Sequence, residues 1–222
     1  GYCPLTSDPV PADGLLSEDE VFPRIDGDVV FRLGFNNTYD AEDPRVEVFD
    51  EFVEMIASPE FRLTERLSFL SELRLETTSP PTETRRFQDE GLFVRKLFAR
   101  LAITDCLSVH AGKFTPSFAL ASLVTPGMYG NNYNKEIELI ERVGFGAEYA
   151  FDAGPSGRHL LSVSTFFDDT SFLSESLGSN RGRTTLDDGG ASNTESFESF
   201  TISIEGTEIE ALHGFTYKLG YV

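Results

Sequence analysis

The strongest constraint on this chain is a period-two alternation of apolar and polar residues, sustained over segments of about ten residues and repeated along most of its length. In 67–76, Leu67, Phe69, Leu73 and Leu75 share one face, while Ser68, Glu72, Arg74 and Glu76 share the other. Around 143–151, Val143, Phe145, Ala147, Tyr149 and Phe151 alternate with Gly144, Gly146, Glu148 and Ala150. Val29, Phe31, Leu33 and Phe35 alternate in the same way with Val30, Arg32, Gly34 and Asn36, and Phe215, Tyr217, Leu219 and Tyr221 with Thr216, Lys218 and Gly220. Successive side chains of a strand point to opposite faces, so each such segment presents one apolar and one polar face.

The pattern predicts nine strands, at 28–39, 48–63, 67–77, 91–103, 107–115, 140–151, 159–168, 196–205 and 214–222. Most are about 9–13 residues, the length a tilted strand needs to cross a bilayer; strands of soluble proteins are nearer 5–6. The connections sort by parity. The even ones, 64–66, 104–106, 152–158 and 206–213, are short, and the later two hold the turn formers Gly154-Pro155-Ser156-Gly157 and Gly206. The odd ones, 40–47, 78–90, 116–139 and 169–195, include the three longest segments between strands. Membrane barrels alternate short periplasmic turns with long external loops in this manner. Aromatics near strand ends, Tyr39, Phe61, Tyr149, Phe151, Phe167 and Tyr221, fit interfacial girdles.

Composition removes the competing classes. No apolar run is long enough for a membrane helix, which needs about 18 residues, yet a barrel strand has soluble-looking mean hydropathy because its faces alternate. A formal net charge of −19 excludes a phosphate-binding surface, and nucleic acid is not an expected partner. Cys3 and Cys106 are far apart with no metal-ligand spacing, and the sequence leaves their pairing open. Residues 1–25, rich in Pro, Asp and Ser and without periodicity, read as a disordered leader; 26–222 reads as barrel. Strict alternation through 107–115 would point Lys113 into lipid, at a cost of roughly 2–4 kcal/mol near the midplane. A bulge at Gly112 is therefore expected, turning Lys113 to the lumen or the interface, with snorkelling of the lysine to the headgroups as the alternative. Nine strands do not close a single-chain bacterial barrel, whose count is even, so the expectation is an all-β transmembrane antiparallel barrel of about 16 strands, of which this chain supplies about nine as an N-terminal piece.

Several short segments carry a resemblance. Asp89-Glu90-Gly91-Leu92-Phe93-Val94 followed by Ala111-Gly112-Lys113-Phe114-Thr115-Pro116-Ser117-Phe118 resembles a strand pair of Gram-negative porins. Pro126-Gly127-Met128-Tyr129-Gly130, Ser164-Thr165-Phe166-Phe167, Asn180-Arg181-Gly182-Arg183, Asp187-Asp188-Gly189-Gly190 and Ser192-Asn193-Thr194-Glu195-Ser196 are similar to the same proteobacterial group. The likeness spans about residues 26–222 and implies a multi-stranded, trimeric diffusion channel of the bacterial outer membrane, with lipid, lipopolysaccharide and small hydrophilic solutes or ions as partners.

The candidate functional residues follow from facing. Arg62, Glu72, Arg74, Arg100, Arg142 and Glu148 are expected to line the lumen, where rings of charge set ion preference or pair into ladders that brace the wall. The segment 116–139, with an apolar stretch from Phe118 to Val124 and a polar Asn131-Asn132-Tyr133-Asn134, is the expected constriction loop; Phe118, Leu120, Tyr129, Asn131 and Asn132 are its named residues. Asp169, Glu175, Asp187, Asp188 and Glu195 in the next long loop have no calcium-loop spacing and read as solvated. His110, His159 and His213 lie on or beside separate strands and no nucleophile elbow is present, so neither catalysis nor a cofactor nor a metal is expected. The alternative to a channel is a structural or adhesive barrel with a plugged lumen. A soluble sandwich or solenoid would instead pack its aromatic face against a second layer.

Overall fold

The computed structural model describes residues 21–118, 139–190 and 192–222, apart from the side chain of Arg45. The alternating segments form nine strands: β1 (Arg24–Asn37), β2 (Phe49–Arg62), β3 (Leu67–Thr77), β5 (Glu90–Ala102), β6 (Leu107–Phe114), β7 (Arg142–Asp152), β8 (Arg158–Asp168), β10 (Ser199–Thr207) and β11 (Tyr217–Tyr221). Two further strands of two residues each, β4 (Arg85–Arg86) and β9 (Leu177–Gly178), lie in loops that were expected to have no strand. The nine run antiparallel in chain order, β1-β2-β3-β5-β6-β7-β8-β10-β11, as one meander. Among the described residues β1 and β11 do not pair with each other, and the sheet is open.

The short connections are built by local chemistry. In Leu63-Thr64-Glu65-Arg66-Leu67 the Thr64 hydroxyl accepts from the amides of Arg66 and Leu67, and the Leu63 amide donates to the Leu67 carbonyl. Ile103-Thr104-Asp105-Cys106-Leu107 repeats the arrangement, with the Thr104 hydroxyl accepting from Cys106 and Leu107. The β7–β8 turn needs glycine, because Gly154 and Gly157 have φ of 62° and 95°.

The two faces of the sheet differ in kind. One carries Val29, Phe31, Leu33, Phe61, Phe69, Leu97, Leu101, Phe145, Tyr149, Val163, Phe200, Ile202 and Leu219, all exposed. The other carries Ser108, Ser162, Ser164, Thr201 and Ser203, all buried, with the buried Glu72 and the rings of Phe93, Phe114 and Phe166. Cross-strand register keeps the sets apart: Ser108 is opposite Glu148 and Glu148 opposite Ser162, while Val109 is opposite Ala147 and Ala147 opposite Val163.

Three details differ from the sequence expectation. β1 starts at Arg24, inside the expected leader, because Arg24, Asp26 and Asp28 pair with Arg62, Glu60 and Ser58 although they lack an apolar rhythm of their own. A register shift after Glu72 leaves Arg95 as an extra residue in β5, so Lys96 and Phe93 both face the buried side. Gly112, by contrast, is no bulge. It stays in register opposite Phe98 and Gly144, with a φ of 136°, and a side chain there would strike the backbone of Leu97 and Phe98. Register places Lys113 beside Leu97 and Val143 on the apolar face, yet its side chain is only 1% exposed, because the β8–β10 connection covers it.

Candidate functional site

All six charged residues expected to line a lumen stand on the buried face, and each is ion-paired. Glu72 lies 2.7 Å from Arg74, 2.8 Å from Lys96 and 3.7 Å from Arg95. Arg100 reaches Glu148 at 3.1 Å, across the intervening strand β6. Arg142 pairs with Asp168. Arg62 meets Glu60 at 3.1 Å and Asp26 at 3.4 Å. The structure therefore brings Glu72 together with Arg74 and Arg100 with Glu148, and gives Arg62 and Arg142 partners that the sequence reading did not name. Lys96, Arg95, Asp168 and Asp26 could have been found only from cross-strand register, whereas Glu60, two residues before Arg62 on β2, shares its face by alternation. Glu72 and Asp168 meet donors of a neighbouring strand, Glu60 one on its own strand and Glu148 one two strands away, so the charges are paired across this face.

Between these polar rungs lies an aromatic patch. The His110 ring is edge-on to Phe114 at 4.6 Å between centroids and to Phe98 at 6.0 Å. Gly144 and Gly146 floor the patch: a side chain at Gly144 would strike Phe166, and one at Gly146 would strike Ser164 and His110. The segment that follows β6 then crosses the same face. Ser203 Oγ of β10 donates to Ser117 Oγ at 3.5 Å, and the Phe118 backbone packs against Gly220 of β11, where any larger residue would collide. Because β7, β8 and β10 separate β6 from β11, Thr115–Phe118 spans the buried face of three strands. Phe118 is thus placed across this face; Leu120, Tyr129, Asn131 and Asn132 lie outside the described residues.

In the acidic loop after β8, Glu175, Asp187, Asp188 and Glu195 are exposed, as expected, and Asp169 is the exception. Asp169 is buried and accepts from the Ser171 amide and hydroxyl at 2.9 and 2.6 Å. Asp188 caps a short 3-10 turn at Leu186–Asp188, accepting from the Thr185 amide at 2.7 Å and hydroxyl at 2.9 Å, and these bonds hold its carboxyl below the usual range. Glu195 lies 3.3 Å from the Thr170 hydroxyl. Arg142, Glu141, Asp168, Asp169, Ser174, Arg181 and Thr184 line an open polar cleft of about 240 Å³ beside this loop.

The exposed face carries aromatics at both strand ends. At the short-turn end Tyr149, Phe151, His159 and Tyr217 form a row with ring separations of 5.9, 5.1 and 6.1 Å, and Tyr217 Oη lies 3.1 Å from His159 Nδ1. At the long-loop end Phe197 packs on Phe145 and Phe167 at 5.3 and 5.2 Å, and Phe35 stacks on Phe49 at 6.2 Å.

No protein-family model, curated protein or solved structure matches this chain.

Proposed function

We propose that this chain forms part of an outer-membrane β-barrel of a Gram-negative bacterium and acts as a porin-like channel for passive diffusion of small hydrophilic solutes and ions. The observation that carries the reading is the inversion of the two faces. Apolar residues are on the exposed side and ion pairs and hydroxyls on the buried side, the arrangement for a wall with lipid outside and water inside. Aromatics at both strand ends, long strands joined by tight turns at one end, and a chain segment crossing the polar face point the same way. The partners on this reading are outer-membrane lipid, lipopolysaccharide and the permeating solute, and the likeness to porins adds a homotrimer. The segment beginning at Thr115–Phe118 then narrows the lumen, and the paired charges tune its ion preference.

The buried rings of Phe93, Phe114 and Phe166 on the polar face favour a second reading, a structural or adhesive barrel whose lumen is filled. Single-channel recording on the full-length protein, refolded in detergent and inserted into a planar bilayer, separates the two. Stepwise openings with a reversal potential in a salt gradient are the expected result for a channel. A folded, heat-modifiable barrel without conductance would replace it with the plugged barrel.

A further inference from the structure

β6 is too short for the place it occupies. Its pairing with β5 ends at Lys113 opposite Leu97, so the first half of β5 has no β6 partner. β7 itself begins at Arg142, opposite Phe114, so neither β6 nor β7 continues beside the first half of β5. Among the described residues this leaves an opening at the long-loop end of a barrel wall, beside the part of β5 that extends past β6, where any unpaired backbone group would be expensive in lipid.

The connection after β8 enters that opening. It turns through a 3-10 helix at Phe172–Ser174 and lays β9 along β5, with Gly178 opposite Gly91 and Leu177 opposite Leu92. The Ser179 amide donates to the Glu90 carbonyl at 3.1 Å. Leu177 and Phe172 are 74% and 72% exposed, and the register with Leu92 puts Leu177 on the apolar face, continuing its surface. On the buried side the Arg181 guanidinium sits 3.9 Å from the Phe93 ring centre. Arg181 donates to both carboxylate oxygens of Glu141, at 2.9 and 2.5 Å, and through Nε to the Ser174 carbonyl at 2.7 Å.

Lys113 ties the segment to the sheet. Its ammonium has three donors and meets three acceptors: Glu141 at 2.8 Å, Asp169 at 2.7 Å and the Leu173 carbonyl at 2.8 Å. Removing so many charges from water has a large desolvation cost, and a solvated external loop would have no reason to bear it.

We infer that residues 169–182 are a substitute stretch of barrel wall, sealing the opening beside the first half of β5, and that Lys113 is the positioning residue that locks the seal. The inference rests on the barrel reading above. It makes the strict alternation that points Lys113 outward a functional feature, because a lysine at this position reaches both carboxylates and the loop carbonyl. With the lock removed, the segment swings out, its backbone becomes a protease substrate, and the pore fluctuates between sealed and laterally open states.

The test is limited trypsin digestion of the full-length protein in proteoliposomes, read at Arg181 and Arg183, with conductance recorded in parallel. Lys113→Met leaves Asp169 without its cation and Glu141 with Arg181 alone, and Arg181→Gln loosens the same segment from the loop side while leaving Arg183 cleavable. The wild type is expected to resist cleavage at 181–183. Both variants, verified as folded by heat-modifiable migration, are cut there about a hundredfold faster, and Lys113→Met shows added fluctuations between open levels. Wild-type cleavage rates in the folded variants would overturn the inference, as would rapid cleavage of the wild type at these arginines. If Lys113→Met does not fold, Arg181→Gln decides alone. Absence of any conductance in the wild type would remove the channel reading, while the cleavage rates would still decide the lock.

Discussion

Val163 and Ser164 are chain neighbours with opposite fates: Val163 is 41% exposed and Ser164 3%. The same inversion runs along β7, where Phe145 is exposed and the flanking Gly144 is buried, and along β10, where Ile202 is exposed between buried Thr201 and Ser203. A sheet in water with one face packed on a core shows the reverse, hydrophobic inside and polar outside. On the barrel reading proposed above, the surrounding lipid, in place of a second layer of protein, is the apolar partner of this sheet. This also explains why the described chain has only four buried hydrophobic side chains, Phe93, Phe114, Leu139 and Phe166: the structure is held by strand pairing and by polar contacts on the other face.

The largest expected effect probes the polar side. Arg85 and Asp50, both about 4% exposed, form a bidentate pair that fastens β4 to β2, and Asp50 is the leading reason that the Arg85 guanidinium is held above its ordinary range. Arg85→Ala leaves a buried carboxylate without its cation, and a loss of about 3–5 kcal/mol is expected in urea unfolding followed by heat-modifiability. A loss below 1 kcal/mol would mean that water reaches this pair freely. Next comes Val163→Arg on the apolar side. Near the midplane of a bilayer it costs roughly 2–4 kcal/mol, whereas on a water-exposed face it stays within about 0.5 kcal/mol. Unfolding from lipid vesicles measures the difference.

Smaller effects sharpen the comparison. Glu148→Gln removes one carboxylate charge beside Arg100 on the polar face, so the reversal potential in a salt gradient moves toward anion preference, with a stability change under about 1 kcal/mol. The smallest effect is a pH dependence outside the strands. The Asp188 carboxyl is lowered by its bonds to Thr185, so the turn is ordered at and above the usual aspartate range and loosens as pH falls through the lowered value. Exchange of the Thr185 amide should quicken over that acidic window, and Asp188→Asn should remove the dependence.

The strands were legible because alternation is a local property, visible in segments such as Leu67–Glu76 and Val143–Phe151 without knowledge of their neighbours. The turns at Thr64 and Thr104 were legible as short connections, although the hydroxyl bonds that make them were not. Non-local contacts stayed hidden. Lys113 draws its partners from Glu141 and Asp169, residues far along the chain that converge only once register and loop path are fixed. The same holds for β4 and β9, whose two-residue pairings have no periodicity to announce them, and for Arg95, whose extra place in β5 depends on β3. The lipid-facing lysine implied by strict alternation was solved by a covering segment, where the sequence reading expected a bulge.

The central claim is that the exposed apolar face lies in lipid. The chain contains no tryptophan, so a single introduced one reports its own surroundings. Val163→Trp and Ser164→Trp, placed one residue apart on β8 in vesicles containing brominated lipid, test the claim most directly. The account predicts strong quenching by the lipid at 163 and quenching only by a water-soluble agent, if any, at 164. Equal quenching at both positions, or access of the water-soluble agent to 163, would contradict it.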